Sequence, residues 1–403
     1  MNEFLKTCLR DLEDRIDPAV ERQYRRQWVD FLEDRCPDDL FIPQARPLNP
    51  PGVDWPDVNI NDAIEDYDLM LFSQFGMVSD QLNGGTGCLN VRCNYGTGIL
   101  SSLFGCDLFI MPRETNTLPT TRPLRSTEKV REAVGNGIPA VDQALGEKVF
   151  RCAERFLDVF EKYPKIAEHV DLYHPDWQGP VDVVELLWGS EMFLAFHDSP
   201  DLMRKALDLS TETYRAFARR WFDLVPPKSK YTTHWGSAFR GRLMIRNDSL
   251  MNLSPEIYVE FIRDRDQYLF DEFGGQGAIH YCGRGDHFIE PMSQMQGLTA
   301  INLTQPEHND MDKICRHTVD KGIKLVGLRS DAVTGLDRPM HGQVHVPPPK
   351  GDRRFRAWAG QSRIEDLSGR DEPARDQRRM PFSTKGPNTG FGWRIDDGAS
   401  DNM

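Results

Sequence analysis

The chain has no uninterrupted apolar run of about 18 residues, the length a helix needs to cross a bilayer. Its start, Met1-Asn2-Glu3-Phe4-Leu5-Lys6, has none of the apolar core of a secretory signal. The expected location is the cytoplasm. An excess of positive charge is missing too: Lys and Arg number 49 against 62 Asp and Glu, a net charge of -13. A protein that tracks phosphates along a nucleic acid needs the opposite balance, so that class is excluded. Cysteine is sparse, at eight in 403 residues, and no CxxC pair occurs. A disulfide scaffold is therefore excluded, and the cysteines are expected as free thiols that mostly act as small buried hydrophobes. There is neither a GxxxxGK[ST] segment nor a GxGxxG opening a helix, so no phosphate loop is expected.

With 39% hydrophobic residues the chain has ample core for one large domain or two ordinary ones. Residues 1–35 read as helical, with Asp17-Pro18 as a cap followed by proline at the first helical position. Tyr24, Trp28, Phe31 and Leu32 recur at helical spacing, opposite Arg22, Arg25, Arg26 and Asp30. Residues 1–58 are thus expected as a helical arm with a proline-rich linker. From there helices alternate with short apolar strands. Helices are expected over 62–75, 126–168, 183–196, 200–222, 255–273 and 309–321. Strands are expected over 88–93, 107–111, 243–246, 278–281, 298–304 and 324–328. Such alternation implies parallel strands joined by right-handed crossovers. One run without an internal linker, 59–346, predicts a closed (β/α)8 TIM barrel, with an open doubly wound sheet as the alternative. Residues 347–403 change abruptly to Arg, Asp, Gly and Ser and are expected as a polar, poorly ordered tail.

Gly274 to His287 carries the most specific signal. Residues two apart on a strand share a face, so His280 and Cys282 would put an imidazole and a thiol side by side. Zinc takes such ligands, and a catalytic zinc keeps three protein ligands and one open position. Asp248 follows the expected strand Leu243–Arg246, where barrel enzymes place catalytic groups. Asp176 and Asp182 flank Gly179-Pro180. Asp176 is suited to a substrate cation or to acid catalysis, and Asp182 to capping the next helix. His341 and His345 are further ligand candidates. Arg240, Arg242 and Arg246 cluster ahead of Asp248 and could clamp carboxylates or phosphates.

Three segments, Asp176-Trp177-Gln178-Gly179-Pro180-Val181-Asp182, Asn252 to Phe261 and Gly277 to Gly283, resemble the uroporphyrinogen decarboxylase superfamily. That group includes corrinoid methyltransferases and is similar in fold to cobalamin-independent methionine synthase. The resemblance implies a (β/α)8 barrel with its site at the C-terminal strand ends. The decarboxylases carry an early Arg-Gln-Ala-Gly-Arg segment that this chain lacks. The methyltransferase branch resembles it at His-x-Cys-Gly, where histidine, cysteine and a later cysteine bind zinc and hold a thiol substrate as thiolate. The only later cysteine here is Cys315, inside the expected helix 309–321, so His341, His345 or a carboxylate would replace it. The resemblance thus implies a zinc-assisted methyltransferase moving a methyl group between a corrinoid and a thiol. His280, Cys282 and His341 would be metal ligands, Asp248 and Asp176 catalytic, and Arg246 and Gln178 cofactor-binding. A small-molecule substrate, a corrinoid protein and a second copy of the chain are the partners to test. The alternatives are decarboxylation of uroporphyrinogen or a related polycarboxylate, and non-catalytic binding of a corrinoid or tetrapyrrole.

Overall fold

The computed structural model describes residues 1–333 and 335–348. Six strands hydrogen-bond in one parallel sheet, in the order Leu40–Phe41, Val344–His345, Lys324–Leu325, Leu298–Leu303, Gly277–Tyr281, Leu243–Arg246. Two further parallel strands, Asn90–Val91 and Asp171–Leu172, pair with each other and, among the described residues, with no other strand. The architecture is α/β. Among the described residues the backbone ladders do not run round a complete ring, because none joins Asp171–Leu172 to Leu243–Arg246 or Asn90–Val91 to Leu40–Phe41.

The expected helices form, with local breaks. Asp17 caps Pro18–Leu32 by accepting the Ala19 amide, as its position before a proline predicts. The expected helix 62–75 is two helices, Ile60–Ala63 and Tyr67–Leu82. Gly322 ends its helical turn at φ 73°, a left-handed conformation that glycine adopts without a Cβ clash. The strand expected at 107–111 does not join the parallel sheet: Leu108–Phe109 pairs antiparallel with Thr120–Thr121. Residues 1–58 supply both core and sheet, since Leu5, Leu9 and Leu12 are fully buried and Leu40–Phe41 pairs with Val344–His345. The tail expected beyond 346 lies almost wholly outside the described residues. No helix among the described residues is long and apolar enough to cross a membrane.

Alternation along the strands separates two cores. Ile245, Ile279, Ile301 and Leu325 face the large core beneath the helices. Met244, Ala278, Ala300 and Val326 face a smaller one, shared with Tyr24, Trp28, Phe31, Phe41, Ala238 and Phe239. The small side chains at 278 and 300 leave room on that face. A β-hairpin fills it, Tyr231–His234 paired with Ser237–Arg240, and Thr299 donates its hydroxyl to the Arg240 carbonyl.

Candidate functional site

The register sets Arg246 beside His280 and His280 beside Asn302. Each lies two residues beyond Met244, Ala278 or Ala300, so all three point to the hairpin face. Two residues further on come Asp248, Cys282 and Thr304, just past the strand ends. These are linked in turn: the Cys282 amide donates to Asp248 Oδ1 at 2.8 Å, and Thr304 Oγ1 donates to Cys282 Sγ at 3.1 Å.

The ligand atoms of Asp248, His280 and Cys282 all lie within 4.8 Å of one another. His280 Nε2 is 3.5 Å from Asp248 Oδ1 and 3.5 Å from Cys282 Sγ. Tetrahedral zinc with bonds of roughly 2.0–2.3 Å has ligand–ligand edges of roughly 3.3–3.8 Å. The donor set fits, and so do the two distances from His280. The tautomer fits as well. Asn302 Nδ2 donates to the Val326 carbonyl at 2.6 Å, which turns its Oδ1 towards His280 Nδ1 at 2.7 Å. A carbonyl oxygen only accepts, so the proton sits on Nδ1 and the Nε2 lone pair faces the other two donors. Burial, outweighing the Asp248 charge, pushes the imidazole below its ordinary pKa and keeps it neutral. Burial and the Asp248 carboxylate push the Cys282 thiol up to about 12, so without a cation it stays protonated.

Two acids, buried Asp182 and partly buried Glu185, hold the Asp248 loop in place. Asp182 takes the Asp248 and Ser249 amides, each at 2.8 Å, and the Ser249 hydroxyl at 2.5 Å. That hydroxyl is also 2.5 Å from Glu185 Oε2. A hydroxyl has one proton to give, so one of the two carboxyls must carry its own. Burial pushes both Asp182 and Glu185 upward, which favours that state. Asp182 therefore does more than cap the helix Pro180–Trp188: it seats the loop after the strand Leu243–Arg246.

Asp176 is not a free acid. It lies between the guanidinium groups of Arg92 and Arg246 and accepts the Trp235 indole N–H at 3.1 Å. Burial alone would raise its pKa, but the Arg246 and Arg92 charges overcome that and lower it. Trp235 links this ion pair to the triad. Its ring lies 4.7 Å from the Arg246 guanidinium and 4.8 Å from the His280 ring. It sits at the hairpin tip with Gly236, at φ 47° and 78°, the two left-handed residues of a tight type I′ turn. A tryptophan rarely adopts that conformation, yet here it stays 38% exposed while His234 and Ser237 in the same hairpin are buried.

The other expected residues fall elsewhere. Gln178 is buried with no hydrogen bond to the triad, its Oε1 unpartnered among the described residues. His341 is exposed at φ 53°, its amide held by Asp39, and is not among the groups that converge on His280 and Cys282. Asp248 is the third group that converges there. His345 is buried level with Asn302 in the sheet register, but its ring packs against Trp28 and its Nδ1 takes the Gly327 amide at 3.0 Å, and it is not among the groups that converge on His280 and Cys282; Cys315 is fully buried in the core. Of the clustered arginines only Arg246 reaches the site; Arg240 lies 3.9 Å from Glu33. Sequence reasoning passed over Arg92, Trp235, Asn302 and Thr304. The hairpin was legible as β-prone residues on either side of Trp235-Gly236. The site rows were legible as three aligned segments, Met244-Ile-Arg-Asn-Asp248, Ala278-Ile-His-Tyr-Cys282 and Ala300-Ile-Asn-Leu-Thr304.

No protein-family profile matches the chain, and no curated protein matches it in sequence. Among solved structures it is similar to a methyltransferase from Methanosarcina mazei, with a TM-score of 0.54. The match covers 80% of this chain and 90% of that one, at 17% identity. At that identity the likeness speaks for the fold.

Proposed function

We propose that the chain is a metal-dependent methyltransferase of the uroporphyrinogen decarboxylase superfamily, with zinc held by Asp248, His280 and Cys282. The observation that carries this reading is the convergence of one oxygen, one nitrogen and one sulfur donor within 4.8 Å of one another, the nitrogen 3.5 Å from each of the other two. The likeness in fold to a methyltransferase supports it, as does the His-x-Cys-Gly segment. In the same reading the six-stranded sheet and the separate pair are the eight strands of a (β/α)8 barrel, with the site at their C-terminal ends.

A zinc ion there would supply a Lewis acid that keeps a substrate thiol deprotonated and nucleophilic at neutral pH. The chain's own residues prepare the place. Asn302 fixes the His280 tautomer, Thr304 donates to the Cys282 sulfur, and Asp182 holds the Asp248 loop. Trp235, 38% exposed with its ring 4.8 Å from that of His280, offers an apolar wall beside the donors. The decarboxylase reading has less support, because Arg92 and Arg246 are both engaged by Asp176 and neither is free to grip a substrate carboxylate.

The test is the metal content of purified full-length protein, followed by transfer of a methyl group from methylcobalamin to a thiol. We expect about one zinc per chain, reduced at least tenfold in Cys282→Ser and Asp248→Asn, with thiol methylation lost in both. A wild-type protein that takes up no zinc on reconstitution would end this reading. Tight corrinoid binding without methyl transfer would favour a carrier instead.

A further inference from the structure

Two large apolar side chains stand open to solvent beside Asp248, His280 and Cys282. Trp235 is 38% exposed, with its ring 4.8 Å from that of His280. Met251 is 45% exposed and follows Asp248 in the same helical turn. Its side chain rests on Gly283, the residue after Cys282, where a Cβ would lie 2.7 Å from Met251 Sδ. Resting on the metal-dependent methyltransferase reading, we infer that the thiol accepted at this site has an apolar body with no anionic group, selected by Trp235 and Met251.

Trp235 is the stronger of the two observations. It holds φ 47° at the first central position of a type I′ turn, where asparagine before glycine is the favoured pair. Backbone strain of this kind persists only where the surroundings fix it, and it concentrates at ligand-binding places. Two contacts fix it here: the indole N–H donates to Asp176 at 3.1 Å, and the Arg246 guanidinium lies 4.7 Å from the ring. The ring is thus held beside His280 with part of its surface uncovered. A thiol ligates zinc at roughly 2.3 Å, which brings the carbons attached to its sulfur next to the donors and to that ring.

Charge argues against an anionic body. Arg246 is 1% exposed and, like Arg92, is turned to Asp176. Arg284, the next cation along the loop from Cys282, is held by Asp286 at 2.7 Å. The charges of Arg92 and Arg246 are offset by Asp176 and Asp248. Those of zinc would be offset by the Cys282 thiolate and the one ionised carboxyl of Asp182 and Glu185. A substrate thiolate already adds one negative charge. A carboxylate or sulfonate on the same molecule would meet none of these three arginines unengaged, and burying an unpaired charge is unfavourable.

The probes are 4-methylbenzyl mercaptan and 4-(mercaptomethyl)benzoate, which share a ring and a thiol and differ at the far end in a methyl or a carboxylate. Cobalt(II) is loaded in place of zinc into the full-length protein, because its visible absorption changes when sulfur ligates it. Binding is then read without turnover. We expect one 4-methylbenzyl mercaptan per chain, bound at least tenfold more tightly than the carboxylate. Trp235→Asn suits the turn and removes the ring, and should weaken binding of the methyl probe at least tenfold. Trp235→Phe keeps a ring without the N–H to Asp176 and should stay within threefold of the wild type. Equal loss in both variants would make Trp235 a support for Asp176 and overturn its role as a binding surface. Met251→Lys, on an exposed side chain, should shrink the preference between the probes to about threefold or less, and it carries the test if Trp235→Asn fails to fold. With cobalt bound, equal affinity for the two probes or an unchanged preference in Met251→Lys would overturn this inference and leave the metal site standing. A protein that takes up neither cobalt nor zinc would end the methyltransferase reading and this inference with it.

Discussion

The two sides of the candidate site are held together by different physics. On one side Leu243–Arg246, Gly277–Tyr281 and Leu298–Leu303 share a continuous ladder, and the meeting of Asp248, His280 and Cys282 follows from its register. On the other side Asn90–Val91 and Asp171–Leu172 meet the sheet without a ladder. There the connection is made by two side-chain contacts and one isolated backbone bond: Asp176 between Arg92 and Arg246, His174 Nε2 accepting the Met244 amide at 3.2 Å, and the Gly179 amide on the Arg246 carbonyl at 2.8 Å. Gly179 makes that approach possible, since a Cβ there would lie 2.4 Å from the Arg246 oxygen. A ladder spreads its cohesion over many modest hydrogen bonds. A seam concentrates it in a few buried charges, and those are sensitive to single substitutions.

The largest effect should therefore come from the seam. Asp176→Ala leaves two guanidinium groups facing each other with no anion between them, and Arg246 is 1% exposed. Removing one partner of a buried ion pair is destabilising by about 3–5 kcal/mol. We expect that loss in urea unfolding, with Asp176→Asn in between because its amide oxygen can still accept from Trp235. A change below about 1 kcal/mol for Asp176→Ala would show that the seam does not depend on this anion.

The same contrast explains what could be read in advance. Strands of four to six mostly apolar, buried residues announce themselves, and His280, Cys282 and Asp248 were recognised because each stands at or just past the end of one. Leu40–Phe41, Asp171–Leu172 and Val344–His345 are two residues long, too short for any period to appear. Their partners are set by tertiary context. Arg92 and Asp176 are 84 residues apart, and no local pattern links them. His341 illustrates the opposite error. Its His-Gly-Gln-Val-His spacing looked ligand-like, but the chain turns at His341 and Gly342 with φ of 53° and 66°, before the strand begins. The missing third donor came from the neighbouring strand instead.

An intermediate effect is expected on the ladder side. Asn302→Leu keeps the volume but leaves His280 Nδ1 and the Val326 carbonyl without their partners. Groups that orient a metal-binding histidine are typically worth 10–100-fold in affinity. Zinc affinity, measured by chelator competition, should fall by that factor while the urea midpoint moves much less than in Asp176→Ala. An unchanged affinity would mean that the ladder alone orients the imidazole. Loss of folding comparable to Asp176→Ala would erase the distinction between the two sides.

The smallest effect concerns a second buried carboxyl, whose pH response should run opposite to that of Asp176. Asp266 is fully buried, and its one side-chain partner is Asn247, which donates Nδ2 at 2.7 Å. Burial raises its pKa to about 7, against the pull of the Asn247 bond and the Arg265 charge. A folded-state value above the unfolded one, near 4, means that its stabilisation is complete below about pH 4. It then fades as pH rises through about 7. Asp176, held low by its arginines, behaves in the reverse sense: its contribution is present above about pH 4 and is lost only as the solution becomes more acid. Between pH 5 and 8 Asp176 should thus be silent while Asp266 titrates. Asp266→Asn keeps an acceptor for Asn247 and removes the titration, so the fall in the wild-type urea midpoint over that window should flatten, by an amount on the order of 1–2 kcal/mol. Parallel pH profiles for the wild type and Asp266→Asn would place the titrating group elsewhere, with Asp182 and Glu185, both raised by burial, next in line.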